Sequence, residues 1–555
     1  MKKRSIVLLM LSILSANLSY GQIPFNTIDS ININNINASV LVHGDMWWNP
    51  DLEVAHCYFP KNYPASINFA SSLWMSGYDP GGQLHIAAAT YRQNGNDYWP
   101  GPISTGDSIN YATSHAWAKI WKVNLTDILT FLGLSSHTIA NTPASILTWP
   151  GKGNTYATGN LGISLTVTDD MAPFIDLNGN GIYEPLLGEF PDIKGDQALW
   201  WVFNDNGPSH NETKGKPLGV EVHAMCYGFH RNTLVDNVVF YEYYVANKSV
   251  NDYHNFRMGQ FDDVDLGYYL DDFIGFDSSH RMGICYNGTT DDGVAGGHPL
   301  NSYGTSVPIV GLTMIVMPGD AGTSYAPAGS FTYYNNDLSI IGNPMVDTEY
   351  DHYLRSRIRS GAHFTNDFTG RGIMSYGHGA GPNCNYVYTG DPGDTTKWSE
   401  CNCSNNPGDR RFIITSNDFT LNAGATQRIV MALVTTDTGA GGGCPDANFT
   451  NIKIVADTAW AVYQSTVTAG VSKISQQQYV NIYPNPAHDK LNIESMVSGS
   501  IPTIQVFNTL GQVMNVAINK NGNRYEADVS KLSNGLYDVL YRQDGIEQNS
   551  RFVKE

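Results

Sequence analysis

The sequence predicts a mainly β protein: a β-sandwich-like main body, one or two sandwiches with few short helices, followed by a small C-terminal β-sandwich. Three observations carry this. Apolar residues recur at every second position over long runs, as in residues 237–247, where Val239, Tyr241, Tyr243 and Val245 fall on one face. The composition is that of a loop-rich extracellular β protein, with 55 glycines, 32 tyrosines and 12% aromatic residues against 15% charged. The final stretch, residues 479–555, alternates short apolar runs with turn signals over the roughly 75 residues that a small sandwich needs.

Taken in order, Lys2, Lys3 and Arg4 precede an apolar run from Ile6 to Leu14 and the small-residue site Ser19-Tyr20-Gly21, the pattern of a signal peptide over residues 1–21. That run is too short to span a bilayer. Residues 22–170 read as a β-rich N-terminal region with a strand at 38–42. Dense aromatics follow at Trp47, Trp48, Trp74, Tyr78, Tyr98 and Trp99. Core packing is the expectation for each of these rings; stacking on the apolar face of a sugar is the alternative. Trp121, Leu125, Ile128, Leu129 and Leu132 lie at helical spacing within residues 117–133, with Asn124 or Thr126 as caps.

Residues 171–464 read as a central β-sandwich region with acidic loops of calcium type. Its first loop, Asp176-Leu177-Asn178-Gly179-Asn180-Gly181-Ile182-Tyr183-Glu184, places oxygen side chains at positions 1, 3, 5 and 9, the Ile182 carbonyl at 7 and a glycine at the sharp turn. Calcium takes six to eight oxygens, and this spacing supplies them. Position 12 is Leu187, so no EF-hand is implied, and Glu189, Asp192 or Asp196 is left to close the shell. The alternative is a turn held by its own side chains. A second cluster gathers Asp262, Asp263, Asp265, Asp271, Asp272 and Asp277 within sixteen residues. Carboxylates so close need water or a cation between them. Asp176, Asn178, Asn180, Ile182, Glu184, Asp192, Asp265, Asp271 and Asp272 are therefore the candidate metal ligands, with calcium as the expected cofactor.

Further strands are expected at 219–225, 307–317, 411–415 and 428–436, and a helix at 449–464. Residues 465–478, rich in Ser, Thr and Gln, form a linker to the terminal sandwich, residues 479–555. Seven cysteines in an exported chain suggest disulfides. Cys384 bridged to Cys401 or Cys403 is the expected local staple, and Cys226 and Cys285 can join if their strands are neighbours. Cys57 reads equally as a buried apolar residue. No Cys-x-x-Cys pair is present, which disfavours structural zinc.

The terminal stretch carries Tyr483-Pro484-Asn485-Pro486, then Asn508-x-x-Gly511-x-Val513 and Leu532-x-x-Gly535-x-Tyr537, and ends on Arg551-Phe552-Val553-Lys554. These three separated segments resemble the type A C-terminal sorting domain of type IX secretion cargo in Bacteroidota. The resemblance implies passage through the periplasm, recognition by the type IX machinery at the outer membrane, and attachment at the outer-membrane surface or release. Residues 95–102, the Asp176 loop, residues 195–205, Asp265-Leu266-Gly267 with Asp271-Asp272, and residues 408–412 are similar to a group of long secreted proteins with the same sorting domain. This second resemblance covers most of residues 38–466; it implies an exported surface protein and carries no activity.

Acidity, a net charge of -19, argues against a nucleic-acid partner, because phosphate contacts want positive charge. Gly-x-Ser-x-Gly, His-Glu-x-x-His, Walker A and dinucleotide glycine motifs are all absent. The expected function is thus a calcium-stabilised surface protein that binds a glycan or matrix ligand. The alternatives are a secreted polysaccharide hydrolase that uses carboxylates of the acidic loops and a purely structural surface component.

Overall fold

The computed structural model describes residues 25–555 apart from 104–109, 208–209, 321–325, 367–376, 379–380, 404, 440, 470–479, 496–500, 509–511, 522–523 and 544–545. The expected signal segment, most of the linker and Gly511 lie outside the described residues.

A nine-stranded antiparallel sheet forms the middle of the body. Its order is Asp272–Asp277, Met282–Asn287, Val310–Val316, Thr426–Thr435, Val238–Asn247, Val220–Gly228, Gln197–Asn204 and Trp99–Pro100, and Trp121–Asn124 also pairs with Gln197–Asn204. Both faces of this sheet are covered. In Gln197–Asn204 all eight residues are buried; Leu199, Trp201 and Phe203 enter one core, and Ala198, Trp200 and Val202 the other. Two-sided burial is why this segment reads as an unbroken apolar run rather than an alternating one.

The first core is closed by a six-stranded sheet, ordered Ser330–Asn335, Arg410–Thr415, Tyr253–Val264, Ala70–Tyr78 and Leu84–Ala87, with Phe419–Leu421 beside Tyr253–Val264. Val239, Tyr241, Tyr243 and Val245 point into this core, as their spacing predicts. The second core is closed by the helix Thr450–Ala469, whose Ile452, Val455, Ala456, Ala459 and Tyr463 form a single buried stripe, and by Trp121, Trp149 and Tyr183 from the irregular layer before it. Strands from before residue 170 pair with strands from after it in both sheets, so the layers are continuous across that point.

Two local expectations change. Residues 117–133 are not one helix: Tyr111–Trp117 and Leu125–Leu132 are helical, and Trp121–Asn124 between them is an edge strand. Pairing with Gln197–Trp200 captures the backbone that the 3.6-residue pattern assigned to a helix, and Asn124 becomes the cap, its N–H donating to Asp127 at 3.4 Å.

The disulfide also differs. Cys401 bridges Cys444, with Cα atoms 6.1 Å apart, while Cys384 and Cys403 are free. The Cys384 N–H is tied to the Phe364 carbonyl, away from the Cys401 loop, whereas the Cys444 N–H is tied to the Asn287 carbonyl beside it. Cys226 and Cys285 are free and buried. Three strands separate theirs in the sheet, which at strand spacing puts them about 19 Å apart, far beyond disulfide reach. Because the Cys401–Cys444 bridge closes a loop of 43 residues, Cys401→Ser with Cys444→Ser should lower stability by about 4 kcal/mol. Urea unfolding with and without reductant checks this: reductant should weaken the native chain and leave the double variant unchanged.

The C-terminal domain is a separate sandwich of two four-stranded sheets, with Val480, Leu491, Ile493, Val506, Val539 and Phe552 in its own core.

Candidate functional site

The Asp176 loop folds as an exposed turn. Asp176 Oδ1 and Oδ2 accept from the N–H groups of Gly179 and Gly181 at 2.7 and 2.8 Å, Asn178 Oδ1 from Asn180 at 3.0 Å, and Asn180 Oδ1 from Ile182 at 2.7 Å. Gly181 takes φ +75°, a left-handed value glycine adopts without strain. Glu184 Oε2 accepts from the Asn178 and Asn180 side-chain amides at 2.9 and 2.6 Å, so three of the expected ligands converge. Glu189 is buried and accepts from the backbone of Leu177 and Glu184 at 3.0 and 2.7 Å, fixing the loop from beneath; burial raises its carboxyl. Asp196 instead accepts from His230 N–H. Asp192 faces Arg551 of the terminal sandwich at 2.9 Å.

The second acidic cluster divides into three. Asp271 accepts from Gly293 N–H at 2.9 Å and Asp272 from Leu266 N–H at 3.0 Å. Beside them Asp292, which the sequence pattern missed, accepts from Tyr268 and Tyr303. Burial pushes Asp271 up to about 7, with the Asp292 carboxylate adding to it. Gly267, at φ +71°, lets Asp292 approach: a Cβ there would lie 2.0 Å from Asp292 Oδ2. These carboxylates knit two loops together. Asp277 serves the helix Thr450–Ala469 instead: His280 bridges it to Asp457 at 2.7 and 3.1 Å, and Lys453 lies 3.7 Å away. Despite burial, bonds from His280 and Ser279 hold Asp277 down at about 2.

The third part gathers Asp263 and Asp265 with Asp409, whose ligand oxygens lie within 4.8 Å of one another. Asp263 sits opposite Arg411 and Val264 opposite Arg410 in the antiparallel register. Asp265 and Asp409 follow just beyond, so two residues from each strand share one face. Arg411 pairs with Asp263 at 2.9 Å and lies 3.0 Å from Asp409. Burial raises both Asp263 and Asp265. Of this trio sequence reasoning named Asp265 alone as a ligand. The i, i+2 spacing of Asp263–Asp265 and Asp409–Arg411 is visible in the sequence, but the pairing that joins them is not.

A polar network at Asp97, Asp205, His210 and Glu212 is fully buried. His210 lies 3.5 Å from Asp97 and 3.8 Å from Asp205, and burial pushes Glu212 up to about 7 against its bonds from Tyr350 and Thr90. A surface pocket of about 150 Å³ is lined by His85, Pro217, Lys248, Asn251 and Tyr253 among others, with no carboxylate in its wall. It therefore lacks the facing acids that glycoside hydrolysis requires. The tryptophans are core residues: all are buried except the half-buried Trp460.

In the terminal sandwich the Tyr-Pro-Asn-Pro segment closes the fold. Asn485 Oδ1 accepts from Val553 N–H at 2.8 Å, and the Ala487 N–H donates to Val553 at 2.7 Å, joining the first strand to the last around Pro484 and Pro486. Tyr483 donates to Glu494 at 3.3 Å. Tyr537, two residues past Gly535, stacks on Phe552 and donates to Ser533 at 2.9 Å.

A family model described as a secretion system C-terminal sorting domain matches residues 481–555. No curated protein matches the chain. Among solved structures, a polysaccharide lyase aligns over 60% of this chain and 34% of its own, at 8% identity and a TM-score of 0.17. The chain thus spans about a third of that protein's length, at a similarity too slight to bear on its fold or activity.

Proposed function

We propose that this chain, a type IX secretion cargo carried to the extracellular space or cell surface by its C-terminal sorting domain, acts there as a calcium-stabilised protein that binds a glycan or matrix ligand. The reading rests on the Asp176 loop. Its oxygens are presented on an exposed turn at the spacing calcium uses, in a protein destined for a compartment where weak extracellular calcium modules work.

Melting the purified protein in EDTA and in calcium tests the metal half. Saturating calcium, at about 100 times Kd, should add about 2.7 kcal/mol, and Asp176→Ala should remove that loop's share. Identical curves in EDTA and calcium would sink the calcium reading. Glycan-array binding in calcium tests the other half, with reducing-sugar release assayed on the same polysaccharides. Release without retained binding would transfer the assignment to the hydrolase.

A further inference from the structure

We propose that Asp263, Asp265 and Asp409 form a second divalent-cation centre, of calcium type, on the outer face of the six-stranded sheet. It extends the calcium reading above and is independent of the Asp176 loop.

The charge count comes first. Three carboxylates gather within 4.8 Å, and Arg411 is the cation among them, so three negative charges face one positive and a net charge of about -2 is left unbalanced. Carboxylates held this close repel unless a proton or a cation lies between them.

The second observation is independent of charge. Asp263 is 1% exposed, yet its Oδ1 has no hydrogen-bond partner. Asp409 Oδ1 is also buried and without a hydrogen bond, although Arg411 Nη1 lies 3.0 Å away as an ion-pair partner. Arg411 Nη2 pairs with Asp263 Oδ2 at 2.9 Å and reaches Tyr91 Oη at 3.3 Å, and the guanidinium lies over Tyr91 and Tyr334, while its Nε and Nη1 are themselves buried without a hydrogen bond. Two buried acceptors from different strands are thus without a hydrogen bond within one group of carboxylates. A cation satisfies both at once, whereas a further donor such as water satisfies them without relieving the charge.

The ligand chemistry selects the metal. All donors are oxygens, with no His or Cys in the group, which excludes a zinc-type preference and fits a hard cation. Asp265 and Asp409 are only half-buried, leaving a side open for entry and for the waters that would complete the shell. Asp409 is further oriented by Asn336, whose amide donates to Oδ2 at 3.0 Å.

The test uses the full secreted chain, stripped with EDTA and titrated with Tb³⁺ and then Ca²⁺ alone, with excitation of the aromatic side chains. Tyr91 and Tyr334 flank Arg411 and should sensitise the bound lanthanide. We expect a binding phase that persists in Asp176→Ala, weakens at least tenfold in Asp409→Asn and in Asp265→Asn, and loses intensity in Tyr91→Leu. These variants spare Asp263, whose loss would leave Arg411 unpaired. If Asp409 merely pairs with Arg411, Asp409→Asn would melt lower in EDTA and keep the calcium increment; that result overturns the proposal. So does a wild-type titration in which every phase disappears with Asp176→Ala. A wild-type titration with a single phase that Asp176→Ala leaves unchanged would instead refute the loop and leave this centre standing.

Discussion

Ending the chain at Ala469 should abolish surface display: at least a tenfold loss of the protein from the cell surface and medium, with accumulation in the periplasm. The terminal sandwich has its own core, separate from the two body cores apart from contributions of Val553 and Leu536. Its removal therefore takes away the signal and, at the body, the contacts of Val553, Leu536 and Arg551. Cell fractionation combined with protease treatment of intact cells measures the outcome. A point variant makes the same case more sharply. Asn485→Ala removes the acceptor for Val553 N–H, leaving an unsatisfied donor at the junction of first and last strands, a loss of about 1–3 kcal/mol to this small domain. Export should fall with it. Equal surface protein from the truncated and complete chains would show that the sorting domain is not what carries this cargo out.

Trp74→Ala should be the most damaging single core substitution, lowering body stability by about 3–5 kcal/mol. Trp74 is fully buried, stacks on Phe261 at 5.0 Å, packs against the tilted ring of Tyr350 at 4.8 Å, and donates from Nε1 to the Ala89 carbonyl at 2.6 Å. Truncation removes a ring packed between the helix Asp347–Leu354 and the six-stranded sheet, and it takes one of two donors from the buried Ala89 carbonyl, which Ser72 Oγ still holds. Trp74→Phe keeps most of the volume and loses the bond, so it should cost distinctly less. Urea unfolding followed by intrinsic fluorescence and by circular dichroism gives both values. A loss below about 1 kcal/mol for Trp74→Ala would mean that the site collapses to fill the space.

How much of this was legible in the sequence depends on how far apart the cooperating residues lie. The alternation at Val239, Tyr241, Tyr243 and Val245 reports a face directly, because strand geometry is local. The helix Thr450–Ala469 announces itself in the same way. The helix pattern over 117–133 misled because a partner strand some 75 residues onward claims Trp121–Asn124, and tertiary pairing overrides a weak local preference.

The sequence by itself determined the destination and the mainly β class, and it offered the Asp176 turn as the alternative to a calcium loop. Each is written in contiguous residues: the three sorting segments, the period-two runs, and an Asp-x-Asn-x-Asn-Gly stretch whose hydrogen bonds close within nine positions. Tertiary structure alone decided which aspartates meet and which cysteines bond. Asp263 reaches Asp409 across 146 residues because Tyr253–Val264 and Arg410–Thr415 pair in one register, and a slip of one position would turn Asp263 and Arg411 to opposite faces. Cys401 meets Cys444 rather than Cys384 because the Cys444 N–H is tied to Asn287 and the Cys384 N–H to Phe364. Nonlocal register is fixed by which faces can be buried together, a property of the packed layers that no single segment carries.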